Sequence, residues 1–223
     1  MDNSLLPFEA AAFQGNKLLA SLSDASLQSL SAHLQPLLFH LGATLFDLDG
    51  KNDAVYFPQN GIISLVLRST TGINVEVGLI GPEGVAGVMD AITGNTNSTR
   101  GQVQASGSGW RLPVASLRQE FGQNAELRDV LLGYQRTIAK VASQNVLCNR
   151  LHSVEQRLSK WLLLAQDRMH TEELELTHEF IATMLGTRRV GVTLAANSLR
   201  DAGLIQYRRG FITIVGRADL EDL

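Results

Sequence analysis

Hydrophobic and polar positions along the chain fall into two regimes. Residues 1–20 are weakly patterned and read as a docking or frayed lead-in. From Ser23, which has the chemistry of a helix cap, Leu27 and Leu30 share one face of a short helix. From about Phe39 to Leu112 the pattern changes to short β-rich runs separated by turn residues: ATLFD, AVYFPQ, GIISLVLR, NVEVGLI and GQVQAS. Asn60-Gly61 lies between two of these runs and predicts a hairpin, because both residue types tolerate positive φ. Short strands at close spacing predict an antiparallel sandwich or jelly roll.

After Pro113 the period becomes helical. Leu127, Leu131, Tyr134, Ile138, Val141, Asn145 and Cys148 follow one another at alternating steps of four and three, a heptad seam that can pack on the protein's own sheet or on a second copy of the chain, the narrow 4-3 stripe favouring the second copy. Asn145 in such a seam would fix register at some cost in stability. A further helix is expected from about Val154 to Arg168. Ser153 and Gln156 fit a capping box there, and Leu158, Trp161, Leu162 and Ala165 form the buried stripe. The break near 149–153 marks a domain boundary, giving a β domain over 1–124, a dimerisation helix over 125–149 and a C-terminal domain over 150–223.

Composition narrows the classes. With 44% hydrophobic and 18% charged residues, the chain can bury a core and does not read as disordered. One cysteine, Cys148, excludes an intrachain disulfide and any four-cysteine zinc or iron–sulfur site; it reads either as a small buried residue or as a redox-sensitive thiol. No run reaches the ~18 apolar residues of a membrane span, and the N-terminus carries Asp2 and Glu9 without a basic stretch. A cytoplasmic protein with no membrane partner is the expectation. Neither HExxH, a Walker loop, a nucleophile elbow nor a dinucleotide Gly-rich turn in a βαβ frame is present, so catalysis is not expected.

The last third carries the function. Thr177 is placed to cap a helix with Ile181, Met184 and Leu185 on one face, and Gly186 follows as a turn residue. Thr187 is the expected cap of a second helix to about Ala202, with Val192, Ala195, Leu199 and Ala202 inward and Gly203 closing it. Its other side presents Arg188, Arg189, Val190, Thr193, Leu194 and Asn197. LIQY, the turn Arg208-Arg209-Gly210 and FITIV then form a hairpin. Net charge is −3 overall, yet between Gly186 and Gly210 five arginines face only Asp201. Helix, tight turn, helix and basic-tipped hairpin make a winged helix-turn-helix, in which one helix enters the major groove and the wing grips phosphates. Double-stranded DNA is the expected partner through Thr187, Arg188, Arg189, Val190, Thr193, Leu194, Asn197, Arg208 and Arg209.

These residues resemble the Crp/Fnr superfamily of bacterial transcription regulators. LTHEFIATMLGTRRVGVTLAANSLRDAGLI is similar to that family's LTxxxLAxxLGxTRxxVxxxLxxLxxxGLI pattern, SVEQRLSKWLLL to its helix after the hinge, and GFITIV with DLEDL to its terminal wing. The resemblance implies an α+β fold: an N-terminal antiparallel β-roll (a jelly roll of the cyclic-nucleotide-binding kind), a long dimerisation helix and a C-terminal winged helix-turn-helix. It further implies a homodimeric regulator on a pseudo-palindromic site, with RNA polymerase a candidate partner. In much of the family a Glu follows the recognition Arg and a second Arg lies four residues beyond that Glu. Val190 and Leu194 stand there, leaving Arg189 as the main base reader and a different target sequence.

Family members that bind cyclic nucleotides carry a Gly-Glu pair for the ribose and an Arg followed by Ser or Thr for the phosphate. Here Gly87 precedes Val88, and Arg100 precedes Gly101 and Gln102. Glu83, Gly84, Gly87 and Arg100 are the candidate effector residues, and cyclic AMP is not the expected ligand. Neither a cofactor nor a metal is expected. A single cysteine cannot build the family's oxygen-sensing cluster; His33, His40, His152, His170 and His178 leave haem conceivable, but lone histidines at these spacings are more often surface or cap residues. The alternative is a small-molecule-binding module acting through a protein partner without DNA.

Overall fold

The computed structural model describes residues 10–70, 72, 74–169, 171, 173–208 and 210–223. The described chain is a mixed α+β structure whose sheets are antiparallel. It divides into two compact units: residues up to Ile63 together with Ile80–Thr137, and Ser64–Leu79 together with Ile138–Leu223.

The first unit opens on a 3₁₀ turn, Ala10–Phe13, and two short helices, α1 (Lys17–Ala20) and α2 (Asp24–Ser31). Asn16 ties this lead-in down. It is fully buried, its Oδ1 accepts from the amides of Leu18 and Leu19, and its Nδ2 donates to the Pro58 and Gly84 carbonyls. Ser23 caps α2 as expected, its hydroxyl accepting from the Ser26 amide. Strands β1 (Gln35–Phe39), β2 (Thr44–Phe46) and β3 (Ala54–Pro58) follow, then β4 (Ile62–Arg68) and β5 (Asn74–Ile80), whose residues 64–79 belong to the second unit. After α3 (Val88–Thr93) come β6 (Arg100–Ala105), β7 (Gly107–Pro113) and α4 (Val114–Gln123). One sheet has the order β1-β7-β3, with Gln35 opposite Arg111 and Ala54 opposite Pro113; the other has the order β2-β6-β4-β5. Leu30, Phe57, Leu112 and Leu117 are fully buried in its core.

The Asn60-Gly61 expectation is corrected. The turn forms, with Gly61 at φ +81° and the Asn60 Oδ1 accepting from the Ser108 amide, but β3 and β4 enter different sheets instead of pairing. A tight turn sets the chain's direction, whereas pairing is decided by which strand covers which face. β3 has all five residues buried and takes β7 as its neighbour.

Helix α5 (Ala125–Leu151) is long and continuous. Leu127 and Leu131 are each 1% exposed and Tyr134 is also buried, its phenol closing over Gly84. The first part of the expected intermolecular seam therefore belongs to the protomer's own core. Further along the same side Ile138 and Asn145 are half-buried, Val141 is exposed and Cys148 is buried. Leu132, Ala139 and Val146, spaced by sevens on the opposite side, face solvent.

The second unit contains α6 (Val154–Met169), β8 (Glu173–Glu175), α7 (His178–Met184), α8 (Arg189–Asp201), β9 (Ile205–Arg208), β10 (Phe211–Ile214) and α9 (Arg217–Glu221). The Ser153–Gln156 capping box closes reciprocally: each side chain accepts from the other residue's amide, at 3.2 and 3.0 Å. Leu158, Leu162, Ile181, Val192, Leu199 and Ile212 are fully buried and pin α6, α7, α8 and the terminal sheet to one core.

Candidate nucleic-acid interface

The interface is built from α7, its turn and α8. Thr177 caps α7, its Oγ1 accepting from the Phe180 amide at 3.2 Å. At the other end the Gly186 amide donates to the Thr183 carbonyl and the Thr187 amide to the Ala182 carbonyl, the paired bonds of a Schellman close. That close needs a left-handed residue, and Gly186 has φ +57°. The Arg157 guanidinium donates to the Leu185 carbonyl and fastens the turn to α6.

This turn displaces the start of the next helix. Thr187 is not the cap, because its amide already serves the close; Arg188, extended at φ −83° and ψ 144°, is the N-cap and makes no side-chain cap bond. The first α8 bonds run from the Gly191 and Val192 amides to the Arg188 carbonyl. Among the described residues the Arg189 and Val190 amides find no acceptor, as expected at a helix start. They point out of the helix end together with two guanidinium side chains, an arrangement that attracts phosphate.

The outward side of α8 is free. Arg188 and Arg189 are exposed, Val190 is 68% and Leu194 66% exposed, and Thr193 and Asn197 are half-buried. Val192, Ala195 and Leu199 are inward as expected; Ala202 is instead exposed, and Ala196 takes up the buried stripe. Gly203 closes α8 with the same paired bonds, its amide on the Arg200 carbonyl and the Leu204 amide on the Leu199 carbonyl.

His178 lies behind the outward side of α8. Its Nδ1 lies 3.0 Å from Thr193 Oγ1, whose hydroxyl in turn donates to the Arg189 carbonyl, and its ring lies 4.7 Å from that of Tyr207. With the threonine proton committed to the Arg189 carbonyl, the His178 Nδ1–H is the donor of this pair. Burial, with the neighbouring Arg189 charge, holds its pKa below the usual histidine value. Thr193 is thus held between the His178 ring and the Arg189 main-chain carbonyl. The sequence offers no periodic signal for this contact.

The wing is a three-stranded sheet of order β8-β10-β9, with Phe211 opposite Arg208. Arg208 is exposed at its end; Arg209, expected beside it, lies outside the described residues, as does His170. β8 was not foreseen, being three residues long.

Comparison with known proteins agrees with this geometry. Residues 156–223 match the Crp-like helix-turn-helix domain. Over nearly the whole length the chain is similar to the global nitrogen regulators of Synechococcus elongatus (24% identical, covering 89% of this chain and 93% of that one) and of Nostoc sp. (25% identical, 87% and 92%). In fold it is similar to FixK2 from Bradyrhizobium japonicum (TM-score 0.73, 16% identity, 85% of this chain and 96% of that chain). It is also similar to a Thermus thermophilus CRP/FNR-family regulator (0.71, 20%, 84% and 97%). The likeness of fold to these two structures extends to the N-terminal sheets.

In that Crp-like frame the four candidate effector residues are engaged within the protein. The Arg100 Nε lies 2.8 Å from the Asp47 carboxylate, Glu83 accepts from the Gly81 amide, and Gly84 lies under Tyr134. The Phe46 ring packs against both Gly87 and Gly101, where a Cβ would fall 3.3 and 2.4 Å from it, and stacks on Tyr56. Phe46 thus fills the space between the turn before α3 and strand β6. Among the described residues, no group of three or more His, Cys, Asp or Glu could hold a metal ion, and no helix is long and apolar enough to cross a membrane.

Proposed function

We propose that the protein is a homodimeric, sequence-specific DNA-binding transcription regulator of the Crp/Fnr type, with α8 in the major groove. The observation that carries this reading is the exposed N-terminal end of α8, where Arg188, Arg189 and two unpartnered amides project together. A guanidinium can bind guanine in a bidentate fashion or grip phosphate, and the amides favour phosphate. Val190 and Leu194, exposed one turn apart, suit thymine methyl groups. Arg208 on the wing supplies a backbone contact.

Dimerism is supported by α5. Its solvent-facing side carries Leu132, Ala139 and Val146 at heptad spacing, with Leu147 beside them. A two-fold axis along that side would set two α8 helices about one DNA turn, ~34–36 Å, apart and would require a pseudo-palindromic site.

Selection of DNA bound by the full-length protein from a random pool tests the proposal. The expected product is a dyad motif. Arg189→Ala should weaken it by ~1–3 kcal/mol and relax one position per half-site, whereas Arg208→Ala should weaken all sequences alike and lower the salt slope by about one. A pool that yields no dyad, or an Arg189→Ala variant with unchanged preference, overturns it.

A further inference from the structure

The second unit encloses a recess of about 290 Å³ that the DNA-binding reading does not use. It is lined from β5, the C-terminal part of α5, α6 and the end of α7, and every lining residue belongs to that unit. Its volume sits at the low end of small-molecule pockets, ~300–1,000 Å³.

Charge in the recess is unbalanced. The Lys160 ammonium donates to the Asn145 Oδ1 at 2.9 Å and to the Cys148 Sγ at 3.5 Å. The Arg157 guanidinium donates to the Leu185 carbonyl. Neither cation has a carboxylate partner among the described residues. The one carboxyl in the wall, Glu76, is occupied: it accepts from Ser64 Oγ at 2.5 Å and from Trp161 Nε1 at 3.1 Å. Burial pushes its pKa up to about 7, with the Arg168 charge and the two hydrogen bonds pulling the other way, so it compensates the wall's cations weakly. A half-buried cation without a carboxylate partner leaves much of its desolvation cost unanswered. Arg168 also lines the recess and lies close enough to Glu76 to lower its pKa; the apolar part of the wall is formed by Val75, Leu79, Val141 and Leu164.

We infer that this recess binds a small organic acid, its carboxylate on Lys160 and Arg157 and its apolar body against Val75, Leu79, Val141 and Leu164. The carboxylate would supply the missing counter-charge, and the apolar body would displace water from aliphatic walls. A strongly hydrated inorganic anion gains the first term and forgoes the second. The inference is independent of DNA binding.

Calorimetric titration and thermal unfolding of the full-length protein with phenylacetate and with hexanoate test it. Phenylacetamide and inorganic phosphate serve as controls for charge and for apolar body. At least one acid is expected to bind saturably and raise the unfolding temperature at roughly 10 mM, while the two controls do neither. Lys160→Met removes the cation and Val141→Trp fills the recess from an exposed position; each should weaken the acid by about tenfold or more with circular dichroism unchanged. Absence of binding by both acids, equal binding of the amide or of phosphate, or full affinity in whichever of the two variants folds would overturn the assignment.

Discussion

Replacing Glu76 by glutamine tests the electrostatics of the second unit directly. The Glu76 carboxyl sits between the buried hydroxyl of Ser64 and the indole of Trp161, and burial raises its pKa from 4.5 to about 7. For an acid whose pKa is higher in the folded state, folding favours the protonated form. The stability this group contributes is complete below about pH 4.5 and is lost as pH rises through about 7. The gap between those values, at roughly 1.36 kcal/mol per pH unit, amounts to about 3 kcal/mol, and about 2 kcal/mol of that falls between pH ~5.5 and pH ~8. Glutamine keeps an amide oxygen for the indole, can donate to the Ser64 oxygen and does not ionise. Urea unfolding of wild type and Glu76→Gln at both pH values, followed by circular dichroism, should show the variant gaining about 2 kcal/mol on wild type as pH rises. A free-energy difference that is the same at both pH values would refute a buried, proton-holding carboxyl here.

Other perturbations probe the scaffold of the DNA-binding end. Gly186→Ala should cost ~1–2 kcal/mol in urea unfolding, because φ +57° is a left-handed conformation and the new Cβ would lie 3.3 Å from Val75 Cγ1. Thr177→Ala should cost ~1 kcal/mol by removing the α7 cap, and Thr177→Ser should restore most of it in the same assay. Val146→Glu, at a position 71% exposed, should leave the far-ultraviolet spectrum unchanged and convert a dimer to a monomer in sedimentation equilibrium.

Much of the fold could be read from residue pattern because local chemistry and tertiary structure agree at those places. Ser23, Ser153 with Gln156, Thr177, Gly186 and Gly203 all sit at helix ends whose backbone groups need them. The β-rich runs became β2, β3, β4, β5 and β6, whereas β7 was missed because GSGWRLP carries two glycines and a proline and alternates poorly. The misplaced cap at Thr187 has a local cause. The α7 close consumes the Thr187 amide and moves the helix start by one residue, which residue preference cannot register. His178 contacts Thr193 and Tyr207 across three elements, and a single sequence encodes such contacts in no periodic signal.

Helix α5 shows why a periodic stripe identifies a packed face without naming the partner. Two series run along it: Leu127, Leu131, Tyr134, Ile138, Val141, Asn145, Cys148 on one side, and Leu132, Ala139, Val146 on the other. The first is longer and more apolar and dominates any count of hydrophobic steps. Its size is the reason it is used internally, since Leu127, Leu131 and Tyr134 fill the protomer's core. The second series has one large side chain, one alanine and one β-branched residue, a narrow strip of the kind through which two helices approach closely. Its members are left in solvent while Leu127, Leu131, Tyr134 and Cys148 of the richer stripe are covered, so burial reverses the ranking that hydrophobicity alone assigns. Within the second unit the remaining positions of the first stripe, Val141, Asn145 and Cys148, form the helical wall of the recess that holds Lys160. One side of the helix thus serves the protomer and its cavity, and the other is available to a second copy.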